Sequence, residues 1–226
     1  MVTTTQLAHK YPLLWHMADP RNIPGILRRG LLATSTLLDL VALTRDERAK
    51  HERKRRPDDV LLEHEEHGLI VLRDQKPLSV KRLESALTEG TVADFLTFIN
   101  GRVFFWPTEQ RLSTMNAARA YEDRPQLVFV VRTAPLLEAH VEQVRLSRIN
   151  SGSTARFAAE RSIATFQRLE DYDWSAGKRQ VAEITIEGGV PDIWAHVERV
   201  EVWENGAHAK VLDPPYDETL AERMSM

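Results

Sequence analysis

Leu127-Val128-Phe129-Val130-Val131 is an unbroken run of apolar residues, mostly β-branched or aromatic. A strand with one face in water alternates polar and apolar residues, so a run with no polar member belongs to a strand buried on both faces. The chain therefore has to place a sheet near its centre and cover both sides of it. At 226 residues, 42% hydrophobic and 28% charged, it can build one substantial core. One domain, residues 1–226, is the expectation, with a helical insertion at about 39–100.

The first half carries mainly helix signals. Asn22 is placed to cap a helix, Pro24 falls in its first turn, and Gly30 is placed to end it. Thr34 or Ser35 can cap a second helix that carries Leu37, Leu40, Val41 and Leu43. Ser79 and Thr91 cap two more, the later one ending at Asn100-Gly101. Gly68 to Leu72 reads as a short strand.

The second half is richer in strands. Arg102 to Trp106 stops at Pro107, Val141 to Leu146 alternates as an edge strand does, and Val197 to Trp203 runs up to a turn at Glu204-Asn205-Gly206. Thr108 to Tyr121 reads as a helical connection, and Asn150 to Thr154 is the clearest loop. The fold class is α+β, helices early and strands late.

Absent signals narrow the chemistry. Without cysteine there is no disulfide scaffold, thiolate nucleophile or Cys-ligated metal. There is no Gly-rich dinucleotide fingerprint, phosphate loop, nucleophile elbow or His-Glu-x-x-His. With no leader-like N-terminus and no apolar run near membrane-spanning length, the expected location is the cytoplasm. A net charge of −3 excludes a globally basic surface, so nucleic-acid binding would need a local patch.

One such patch runs from Arg45 to Arg56, with seven Lys and Arg against Asp46, Glu47 and Glu52. Lys50, Arg53, Lys54, Arg55 and Arg56 could meet phosphates, or the run could be a solvated helix with pairs such as Asp46 and Lys50. His64-Glu65-Glu66-His67 looks metal-like, but two histidines three apart with no third ligand nearby read as a solvated helix face. No metal is expected.

Two polar residues stand out against apolar surroundings. His16 lies at the end of Leu14-Trp15-His16, and Glu183 lies within Val181-Ala182-Glu183-Ile184-Thr185-Ile186. Burying either group without a partner is costly. Glu183 could also be the solvent-facing member of an alternating strand, and His16 a hydrogen-bonded strand end.

The blocks around these residues resemble the DarT-type ADP-ribosyltransferases. His16-Met17-Ala18 with Asn22-Ile23, Ile26-Leu27 and Gly30-Leu31 is similar to the family's opening block. Val103 to Pro107 with Arg111 and Tyr121 is similar to the second, although the spacing from Trp106 to Arg111 departs from it. Gln180 to Ile184 with Val190-Pro191 and Val197 is similar to the third.

The resemblance implies a split mixed sheet of the ADP-ribosyltransferase type and a mono-ADP-ribosyltransferase that uses NAD as co-substrate. Glu183 would stabilise an oxocarbenium-like transition state as nicotinamide leaves. His16, Met17, Ala18 and Asn22 would bind the cofactor, Arg111 would hold its pyrophosphate, and Tyr121 would stack on the nicotinamide ring. Residues 170–179, with Tyr172 and Trp174, would choose the acceptor, which is DNA, RNA, protein or a small molecule. Tyr172, Trp174 and Tyr121 could equally fill the core, and Arg111 could simply pair with Glu109. A catalytically inactive nucleotide- or nucleic-acid-binding module on the same fold is the competing reading.

Overall fold

All five residues of the Leu127–Val131 run are completely buried, and its two faces pack into different clusters. The computed structural model describes residues 1–116, 124–154, 159–175, 180–204 and 207–225. In chain order the first half holds α1 (Thr4–Lys10), β1 (Leu13–Ala18), α2 (Ile23–Arg29), β2 (Leu31–Leu32), α3 (Thr34–Asp39), α4 (Arg45–Glu52), β3 (Val60–His64), β4 (Gly68–Leu72), α5 (Val80–Ala86), α6 (Val92–Asn100) and β5 (Arg102–Phe105). The second half holds α7 (Glu109–Asn116), β6 (Gln126–Arg132), α8 (Thr133–Ala139), β7 (Val144–Ser147), β8 (Glu183–Glu187), β9 (Gly189–Val190), β10 (Val197–Glu204), β11 (Ala207–Leu212) and α9 (Leu220–Ser225).

β6 lies inside a four-stranded antiparallel sheet of order β1-β6-β10-β11. Leu127, Phe129 and Val131 face the main core with Leu14, Val200 and Ile184. Val128 and Val130 face the other way, onto Met17, Trp203 and Leu112 of α7. A second, three-stranded antiparallel sheet has the order β5-β8-β7. The sheets meet edge to edge, where Trp15 of β1 and Trp106, just after β5, exchange backbone hydrogen bonds of 3.0 and 2.8 Å. A pair of two-residue strands, β2 and β9, packs beside β5. Gly30 makes this approach possible: its φ is 73°, and a Cβ there would sit 2.4 Å from the Pro191 and Val190 carbonyl oxygens.

The α+β class holds, and β1 and β4 stand where Leu14–His16 and Gly68–Leu72 read as short strands, but the first half is less purely helical than expected. β1 to β5 all lie in the first half, and residues 39–100 are not wholly helical, because β3 and β4 form a hairpin. Ile70 and Leu72 of its second strand pack on Leu38 of α3, so the hairpin is stabilised by a helix distant in sequence. His64 to His67 is the hairpin's turn rather than a helix face, and the two imidazoles stack at 4.5 Å. α5 and α6 start at Ser79 and Thr91 as expected, and Thr91 forms a full capping box with Asp94. Residues 141–143 form a short 3-10 turn, and the edge strand begins at Val144. α3 takes no side-chain cap; its N-cap is Ala33, which makes Thr34 its first residue.

Asn22 also departs from expectation. It stands at the head of α2 but makes no capping bond with its side chain. Its Nδ2 donates to the Val71 carbonyl at 2.9 Å, and its Oδ1 accepts from the Val71 N–H at 2.8 Å. The amide thus imitates a strand neighbour and ties β4 to the start of α2. Asn22→Ala strands both Val71 groups, and the expected loss is about 2–4 kcal/mol, measured by denaturant unfolding; a loss under about 0.5 kcal/mol would show that water replaces the clasp.

Candidate functional site

His16 and Glu183 line the same cleft, of about 290 Å³, at the junction of the two sheets. Met17, Ala18, Asn22, Arg73, Phe104, Trp106 and Asn150 also line it. β1 supplies His16 from the first sheet and β8 supplies Glu183 from the second, so neither sheet alone makes the site.

His16 is fixed by its backbone neighbour across the junction. Its Nδ1 lies 2.8 Å from the Phe104 carbonyl, which can only accept, so the proton is on Nδ1. The ring packs beside Phe105 and Phe129 at centroid distances of 5.5 and 6.3 Å. Burial, opposed by the Phe104 bond and aided by the Arg73 cation, lowers the His16 pKa to about 4. The imidazole is therefore neutral at pH 7, with Nε2 as an acceptor.

The stability consequence has a definite sign. A depressed histidine pKa means that the contribution is complete above the unfolded value of 6.5 and is lost as pH falls towards about 4. His16→Gln removes that dependence, so the stability gap between wild type and variant should narrow between pH 6.5 and 4. Parallel denaturant titrations check this, and a constant gap would place the acid sensitivity elsewhere.

Glu183 is the first residue of β8 rather than a mid-strand residue, and it is 3% exposed. Both carboxyl oxygens lie within hydrogen-bond distance of the Ser151 N–H, at 3.2 and 3.1 Å. Burial pushes its pKa up to about 7, against the opposing pull of Ser151, Arg161 and Arg111. Ser151 belongs to the 150–154 loop, and Arg161 holds that loop from beneath. Arg161 is 2% exposed, and its Nη1 donates to the Ser151 and Ser153 carbonyls at 2.9 and 3.2 Å. The loop visible in the sequence is thus a cradle for the glutamate, held by an arginine that no local pattern announces.

Met17 and Ala18 differ in what they offer. Backbone groups alternate sides along a strand, and Trp15 spends its N–H and C=O on Trp106 rather than on β6. Met17 therefore points its backbone groups away from β6, and its carbonyl accepts from Arg73 Nη1 at 3.3 Å. Ala18 points its own towards β6, so of the two only Met17 can present backbone to a ligand. Asn22 lines the cleft with its amide already engaged by Val71.

Arg111 is exposed on α7 and lines a second cleft, of about 640 Å³, with Lys10, Tyr11 and Gln180. Pro77, Trp106, Met115 and Asn150 line both clefts, so the two adjoin. Tyr121 lies outside the described residues. Tyr172 and Trp174 are core residues, at 0% and 8% exposed, which leaves neither as a free stacking platform.

Sequence reading misses Arg73 and an ion-pair chain on the cleft rim. Arg21 bridges Asp19 and Asp59 at 2.8 and 2.9 Å, and Arg124 bridges Asp59 and Asp74 at 2.6 and 2.9 Å. The only advance signal was the position of Arg73 and Asp74 directly after an apolar strand. The basic run also divides. Arg56 is buried and donates to the carbonyls of Arg73 and His51 and to Asn100, and Arg55 donates to the carbonyls of Gln75 and Lys76. Lys50, Arg53 and Lys54 remain exposed, with Arg53 3.4 Å from Asp94.

The chain belongs to the family described as Family of unknown function (DUF7002), whose model matches residues 12–197. That span contains both His16 and Glu183. No curated protein matches the chain. Among the described residues no helix is long and apolar enough to cross a membrane.

Proposed function

We propose that this chain is a cytoplasmic NAD-dependent mono-ADP-ribosyltransferase, with nucleic acid as the first acceptor to test. The observation that carries the reading is the convergence of His16 and Glu183, from separate sheets, on one cleft. The edge-to-edge junction of β1 and β5 supports it, since a split sheet of the ADP-ribosyltransferase type needs such a junction.

The nicotinamide riboside half of NAD would occupy the His16 cleft, with the Met17 backbone facing the carboxamide. The pyrophosphate would extend past Trp106 into the neighbouring cleft, where Arg111 offers a planar cation. As the bond between nicotinamide and ribose breaks, its electron pair leaves with nicotinamide and positive charge builds on the sugar. Ionised Glu183 stabilises that charge. The acceptor's lone pair then attacks the anomeric carbon, and its proton is lost to Glu183 or water.

A second reading rests on the burial of Glu183. With the residue 3% exposed and its carboxyl turned to the Ser151 N–H, the cleft would bind a nucleotide without cleaving it. Labelled NAD incubated with purified chain and separate pools of DNA, RNA and protein distinguishes the two. Label transferred to one pool supports the transferase; binding of NAD with no nicotinamide release favours the module.

A further inference from the structure

We propose that His140, Asp192 and His196 form a binding site for a divalent transition-metal ion, with zinc as the natural probe. His140 ends α8, while Asp192 and His196 flank the short 3-10 turn 193–195 between β9 and β10. His140 Nε2 lies 2.7 Å from Asp192 Oδ1, and His196 Nε2 lies 3.0 Å from Oδ2. One ligand atom from each residue falls within 4.8 Å of the others. Two imidazoles and one carboxylate suit zinc and its neighbours, which bind nitrogen and oxygen at about 2.0–2.2 Å. An ion taking the place of the shared protons needs only small movements of the three side chains.

The setting favours a built site over a chance surface cluster. The His140 and His196 side chains are 13% and 6% exposed, while that of Asp192 is 45% exposed, so the carboxylate forms an open side on a largely buried imidazole pair. The rings meet edge to face at 5.9 Å, which keeps both directed at the same carboxylate. The site also sits on a structural joint. Trp194, inside the turn, donates from Nε1 to the Ile26 carbonyl of α2 at 3.1 Å, and Pro191 lies against Gly30. Metal binding there would pin the segment that supports α2 and the wall of the His16 cleft.

The test is calorimetric titration of zinc into tag-free chain pretreated with a chelator, paired with thermal melts. One equivalent should bind, and the melting temperature should rise. Asp192→Asn, which keeps the shape but replaces one accepting oxygen by a donating NH2, should weaken binding at least tenfold, and His140→Ala should do the same. His64→Ala combined with His67→Ala, which removes the other close histidine pair, should leave the affinity unchanged. No stoichiometric binding by the wild type would overturn the site, as would wild-type affinity in both Asp192→Asn and His140→Ala. Loss of binding only in the His64 and His67 double variant would move the zinc to the hairpin turn and equally reject the proposal.

Discussion

Glu183→Gln should reduce NAD turnover by at least about a hundredfold while the protein stays folded. On the proposed mechanism the loss follows from removing the carboxylate that meets positive charge on the ribose, and electrostatic groups of this kind are typically worth about 10²–10³ in rate. The fold survives because Gln keeps the shape and an oxygen to accept the Ser151 N–H.

The pH dependence separates catalysis from structure. Because the Glu183 pKa is raised from 4.5 to about 7, its stabilising contribution is complete below 4.5 and declines as pH rises to about 7. The decline is on the order of 3 kcal/mol at about 1.4 kcal/mol per pH unit. Glu183→Gln has no charge to bury, so it should gain on wild type across that interval. The proposed mechanism runs the opposite way, because it requires the ionised form: kcat/KM should rise through pH 7. Wild-type turnover in Glu183→Gln, measured by nicotinamide release, would remove the carboxylate from the mechanism.

The largest stability effect is expected at Phe129. Its side chain is completely buried in β6, in edge-to-face contact with Trp194 at 5.4 Å and beside His16 at 6.3 Å. Phe129→Ala should cost about 3–5 kcal/mol, from lost transfer energy and the cavity left behind. Single domains are typically stable by only about 5–15 kcal/mol, so this one change takes a large share. It should also loosen the His16 ring. Phe129→Leu fills most of the volume and should lose much less, which distinguishes packing from a requirement for the aromatic ring. Denaturant unfolding of both variants measures the effect, and a loss below about 1 kcal/mol for Phe129→Ala would mean that β6 is not the centre of the core.

What could be read in advance depended on whether the information was local. β6 was legible because five consecutive residues carry its burial, and α6 because Thr91 and Asn100-Gly101 mark its ends within the chain. Gly68–Leu72 was legible for the same reason, but its partner β3 was not, since the hairpin gains its packing from Leu38 far upstream. The glutamate and histidine were visible as polar residues in apolar segments. Their common cleft was not, because it exists only where two sheets meet. The Asn22 clasp on Val71, the Arg161 support under Ser151 and the burial of Arg56 are tertiary events with no periodic trace. Asn22 shows the difference well: its side chain suits a helix cap, and the fold spends it on a strand 49 positions away.

The claim that one cleft joins His16 and Glu183 around NAD is tested most directly by titrating NAD into isotopically labelled protein and following resonances by NMR. The His16 ring, the Ser151 amide and the Met17 amide should shift together and saturate with a single dissociation constant. Shifts confined to other surfaces, or a His16 ring that does not respond while NAD binds, would contradict it.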